Sequence, residues 1–122
     1  MAHAPLRTVV VDASESFVEA AEKWLARRSE VIVVGHAYTG SGARAAVERL
    51  NPQLIVMDAA LPAIEGYRLV LEWKARLEPP RVILSMLSAS AAARRAAFAA
   101  GADAFLRKEA FASEMNQLLR SL

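Results

Sequence analysis

The chain has no cysteine. Disulfide bridges and thiolate metal centres are therefore excluded, and the absence fits a reducing compartment. Charge of either sign is never in large excess. Lys and Arg number 15 against 13 Asp and Glu, a net +2, too little to imply that the domain binds nucleic acid. Long apolar runs are missing too: none approaches the roughly 20 residues of a membrane-spanning helix. Met1 to Arg7 lacks the apolar stretch of a signal peptide. The expected setting is cytoplasmic and away from the membrane. There is no internal repeat or low-complexity linker, and no glycine lies in Asp12-Ala13-Ser14-Glu15-Ser16. That last absence removes a glycine-rich phosphate loop after the first apolar run.

What is present is globular. Hydrophobic residues make up 55% and charged residues 23% of 122 positions, enough for one core and one domain, residues 1–122. Short β-rich runs alternate with helical patterns. Thr8 to Val11, Val31 to Val34 (extending toward Ala37), Leu54 to Met57, Val82 to Leu84 and Ala104 to Leu106 read as strands. Ser16 to Arg28, Gly42 to Leu50, Tyr67 to Arg76, Ala89 to Ala100 and Phe111 to Leu122 read as helices. Ser14 or Ser16 caps the first, Asn51-Pro52 stops the second, Glu78-Pro79-Pro80 breaks the third, and Gly101 caps the end of the fourth. Trp24 and Trp73 fall at helical spacing and read as packing residues. His3 and His36 have no metal-ligand partner at useful spacing. Arg94 and Arg95 read as a solvated helix face, with Asp103 or Glu114 as candidate salt-bridge partners. Five strands alternating with five helices predict an α/β fold, a doubly wound parallel sheet covered on both faces.

In a parallel sheet all strand ends of one kind share an edge, and ligands bind outside the carboxyl edge. The first strand runs into Asp12, the third into Asp58, the fourth into Ser85, and Lys108 lies just past the fifth. Each residue alone is ordinary: a strand-end Asp is commonly a turn residue, a Lys a solvated charge, a Ser a backbone partner. Together they predict a convergent site of two carboxylates, a hydroxyl and an ammonium. Such a set suits Mg²⁺ and phosphoryl oxygens, and an Asp carboxylate can itself become phosphorylated.

Over nearly its whole length the sequence resembles the receiver domain of bacterial two-component response regulators. The stretches that carry the resemblance are Val9-Val10-Val11-Asp12, Val56-Met57-Asp58-Ala59-Ala60-Leu61-Pro62-Ala63-Ile64-Glu65-Gly66, Val82-Ile83-Leu84-Ser85 and Gly101-Ala102-Asp103-Ala104-Phe105-Leu106-Arg107-Lys108. The resemblance implies a (βα)5 flavodoxin-like (CheY-like) sheet in the order 2-1-3-4-5. It implies that Asp58 accepts a phosphoryl group from a histidine kinase or phosphotransfer protein. Mg²⁺ would sit between Asp12, Asp58 and the Ala60 carbonyl, and Ser85 and Lys108 would bind phosphoryl oxygens. Ser85 would then move inward and Phe105 turn toward the core, remodelling the face made by the fourth helix, fifth strand and fifth helix. That face is also the usual homodimer surface of the family. No enzymatic activity is implied beyond promoting the domain's own phosphorylation and dephosphorylation.

The chain departs from the family at Ala13, where a second acidic residue usually ligates the metal. Glu15, from the next turn, is the candidate replacement. Mg²⁺ binding is expected to be weak, since oxygen-ligand affinity depends on ligand charge. Met86 after Ser85 is expected to narrow access to Asp58. Ala60 and Leu87 offer no group to orient an attacking water, so slow hydrolysis is expected. Glu109 stands where Pro is usual. Ala13 favours a competing function, a degenerate receiver acting as a phosphorylation-independent interaction module. A flavodoxin-like cofactor binder lacks its glycine loop here, and a phosphatase lacks its second carboxylate two residues after Asp58. The chain ends where the last helix ends, as expected of a stand-alone regulator or of a fragment of a longer one.

Overall fold

Period-two alternation within the apolar runs decides how the sheet is covered. In the computed structural model, which describes residues 4–61, 65–88 and 90–122, the strands are β1 (Leu6–Val11), β2 (Val31–Ala37), β3 (Leu54–Asp58), β4 (Arg81–Met86) and β5 (Ala104–Arg107). The helices are α1 (Glu15–Leu25), α2 (Gly40–Leu50), α3 (Glu65–Lys74), α4 (Ala91–Ala99) and α5 (Phe111–Ser121), and one 3-10 turn, Lys108–Ala110, links β5 to α5. All pairings are parallel, in the order β2-β1-β3-β4-β5. The expected fold class and strand order are therefore observed. Val9, Val11, Ile55, Met57, Val82 and Leu84 face one core with Ala43, Val47, Leu69, Val70, Trp73 and Ala97 from α2, α3 and α4. The intervening Val10, Val56 and Ile83 face a second core with Val18, Leu25, Met115 and Leu119 from α1 and α5.

The boundaries differ from the sequence reading for local reasons. Ser14, not Ser16, caps α1, its Oγ accepting from the Phe17 N–H at 3.2 Å. The same helix ends at Leu25 rather than Arg28 because its tail tightens: Arg27 N–H bonds to Trp24 C=O and Arg28 N–H to Leu25 C=O. Thr39 caps α2 by accepting from Gly42 N–H at 3.0 Å, so Gly40 and Ser41 form its first turn instead of a separate break. Asn51 closes α2 in the left-handed region (φ 45°). The third helix stops at Lys74, two residues short of the expected end. Gly101, at φ 107°, ends α4 with its own N–H on Phe98 C=O and the Ala102 N–H on Ala97 C=O, the paired bonds of a Schellman cap. The expectations that rest on His3, Pro62, Ala63, Ile64 and Ala89 lie outside the described residues. Among the described residues no helix is long and apolar enough to cross a membrane.

Candidate phosphoryl site at the carboxyl edge of the sheet

Asp12 follows the last residue of β1 and Asp58 is the last of β3, so neighbouring parallel strands deliver both carboxylates to one edge. Backbone bonds hold each in place. Asp12 Oδ1 accepts from Ser14 N–H and Asp58 Oδ1 from Ala60 N–H, both at 2.9 Å. These are Asx-type turns, in which the side chain mimics a backbone acceptor two residues back. The other oxygen of each carboxylate is thereby turned to the same point. Lys108, first residue of the 3-10 turn, places Nζ there, 2.6 Å from Asp12 Oδ2 and 3.4 Å from Asp58 Oδ2. Lys108 is only 10% exposed at its side chain and Asp12 2%. In so dry a setting charge interactions are far stronger than in water. Two carboxylates facing one ammonium leave one negative charge over.

Three of the four expected residues thus meet. Ser85, the fourth, is the register partner of Asp58 across β3 and β4. It is buried, but its Oγ donates to Met57 C=O at 3.5 Å rather than to either carboxylate. Phe105 sits in β5 with 8% of its surface exposed, inside the core shared with α4. A 180 Å³ cavity beside it is lined by Ser90, Ala91, Arg94, Phe105, Arg107 and Glu114. Glu15 is exposed on the first turn of α1. Among the described residues no cluster of three or more Asp, Glu, His or Cys that could hold a metal ion is formed. Met86 is half-buried against the α2–α3–α4 core, and Leu87 is exposed.

Two residues to which the sequence assigned no role at the site also border it. Phe17, in α1, lies under Lys108 with its ring centroid 4.4 Å from Nζ. Glu109 accepts from the Ser88 N–H at 3.2 Å, where Ser88 is strained into the left-handed region (φ 50°). It thereby ties the β4–α4 loop to the turn that carries Lys108. No local pattern reports either contact, because each joins elements far apart in sequence. The salt-bridge partners also differ from expectation. Asp103 pairs with Lys74 at 2.8 Å, and Glu114 with Arg107 at 2.8 Å.

The Glu114 carboxyl is held below the usual carboxylate range. The Arg107 backbone N–H, donating at 2.8 Å, is the main cause, and the Arg107 guanidinium adds to it. A lowered folded-state pKa contributes stability that is present above the unfolded carboxylate value and lost as pH falls through the folded one. Glu114→Gln is therefore expected to be less stable than the parent at neutral pH. The gap should close below about pH 4. Thermal unfolding of both proteins across pH 3 to 7 checks this, and a gap that persists unchanged into acid would contradict it.

The family model for the response regulator receiver domain matches residues 8–120, and the chain belongs to that family. A protein-glutamate methylesterase/protein-glutamine glutaminase from Pseudoalteromonas translucida is 34% identical over 105 residues, which are 85% of this chain and 27% of that protein. The chain thus spans about a quarter of the length of that curated relative. Among solved structures, the signal receiver domain of the response regulator NarL from Mycobacterium tuberculosis superposes with a TM-score of 0.83 at 23% identity, covering 98% of this chain and all of that one. A two-component response regulator of the LuxR family from Aurantimonas has the same TM-score at 25% identity, covering 96% of this chain and 84% of that one. Receiver domains work in two-component systems, interact with histidine kinases or phosphotransfer proteins, and in general bind Mg²⁺ at the phosphorylation site.

Proposed function

We propose that Asp58 is the phosphoacceptor of a signalling switch. The observation that supports it most is the Lys108 ammonium seated between the Asp12 and Asp58 carboxylates, with Ser85 on the adjoining strand. An Asp58 carboxylate oxygen attacks the phosphorus of a phosphohistidine on the partner kinase or phosphotransfer protein. The P–N bond breaks, the imidazole leaves and takes up a proton, and an acyl phosphate remains on Asp58. Lys108 pairs with one developing phosphoryl oxygen, and the Ser85 hydroxyl turns from Met57 C=O to another. Movement of Ser85 and Lys108 is read out at Phe105 and the α4–β5–α5 face, which also serves as the dimer surface.

The donor set fits Mg²⁺ in a lean form. This ion keeps several waters and is commonly held by one or two carboxylates plus phosphate oxygens. Asp12, Asp58 and the Ala60 carbonyl would hold it, where it would neutralise charge on the phosphoryl oxygens. Its binding is weak, since Ala13 contributes no ligand and Lys108 already engages both carboxylates.

Incubation with phosphoramidate and Mg²⁺ followed by intact-mass measurement tests the reading. One added phosphoryl mass is expected, absent in Asp58→Asn. A degenerate receiver, which Ala13 alone favours, would show no added mass in either protein while still binding its partner.

A further inference from the structure

Lys108 has one neighbour that phosphoryl chemistry does not account for. Beyond the two carboxylates, its ammonium lies over the face of Phe17, 4.4 Å from the ring centroid. The ring is not free to turn away. It meets Phe111 edge-on at 5.6 Å and 88°, and Phe111 meets Trp24 edge-on at 5.6 Å and 81°. Phe111 opens α5, immediately after the turn that begins at Lys108. The aromatic chain from α1 to α5 therefore locks the Phe17 face against the start of that turn. A lysine stem is a flexible four-carbon chain that carries a point charge. The negative face of a ring adds a further attraction that narrows where that charge sits.

We infer that Phe17 is a positioning residue that holds the Lys108 ammonium at the acidic pocket, its ring face supplying attraction where Ala13 supplies no charge. The inference rests on the proposed reading of Asp58, and it adds a residue that acts on the phosphoryl group only through Lys108. Two consequences follow from the geometry. A released Lys108 would bind the incoming phosphoryl group less readily. It would also compete less with Mg²⁺ for Asp12 and Asp58.

The test compares Phe17→Leu, which keeps an apolar side chain between α1 and α5, with Phe17→Tyr, which keeps the ring face. In the parent, NMR should show the Lys108 ε-methylene protons shifted upfield by the ring current. Phe17→Leu should abolish that shift and Phe17→Tyr retain it. Phosphoramidate uptake at Asp58 should slow about tenfold in Phe17→Leu and recover in Phe17→Tyr. Titration with Mg²⁺ alone should show binding about threefold tighter in Phe17→Leu than in the parent. An unshifted Lys108 in the parent overturns the placement. A lost shift with both uptake and Mg²⁺ affinity unchanged overturns the positioning role. If the parent takes up no phosphoryl group, the reading of Asp58 fails, and the ring-current shift and Mg²⁺ titration still decide the role of Phe17. Phe17→Met, unbranched and able to fill an irregular gap, replaces Phe17→Leu if the latter does not fold.

Discussion

Lys108→Met should cost the folded domain about 3 kcal/mol in urea unfolding at neutral pH, the usual result of removing one partner from a buried ion pair. The effect is large because of what stays behind rather than what is lost. The Asp12 and Asp58 carboxylates are both buried, and Lys108 is the cation paired with each. Without the ammonium, two like charges face each other in a low-dielectric pocket with their solvation already forfeited. The double variant Lys108→Met with Asp12→Asn should recover a large part of the loss, since it removes one of the repelling charges. The resulting cycle isolates the coupling between the two residues. A single variant as stable as the parent would show that the ion pair only offsets its own desolvation.

Trp73→Ala should be about as severe, near 4 kcal/mol, the usual range for emptying a large aromatic site. Trp73 is the largest fully buried side chain and sits on α3 among Leu69, Val70 and the sheet. Its Nε1–H is buried and has no hydrogen-bond partner among the described residues. Trp73→Phe removes that unsatisfied donor together with part of the ring, so two effects oppose each other. It is expected to cost less than about 1.5 kcal/mol. Denaturant unfolding of both variants decides the matter. A Trp73→Phe loss close to that of Trp73→Ala would mean that the indole's shape dominates and the orphaned N–H matters little. The Phe variant has a second use, because Trp24 becomes the sole tryptophan.

Strands and site were legible to different depths. Each apolar run was recognisable by composition, yet β1 and β4 extend beyond it, because parallel pairing enlists Leu6 opposite Val31 and Arg81 opposite Leu54. Backbone hydrogen bonding does not discriminate among side chains, so a hydrophobic pattern underestimates strand length. Helix ends were misplaced where a cap or a tightened turn decided them, as at Thr39 and at Arg27 and Arg28. The start of α2 at Gly40 runs against glycine's low helix propensity, and a one-residue cap overrode it.

The sequence alone determined which residues could meet. Strand alternation is local, and once β1, β3 and β4 are parallel their carboxyl ends must share an edge, which brings Asp12, Asp58 and Ser85 there whatever the packing details. Only the tertiary structure decided how they meet. The distance of Lys108 to each carboxylate, the turn of Ser85 toward Met57, the Phe17 face beneath the ammonium and the tether from Glu109 to Ser88 all depend on rotamers chosen between elements distant in the chain. Periodicity specifies the edge on which a side chain emerges. Packing specifies where its last atoms come to rest, and at this site those last atoms carry the charge.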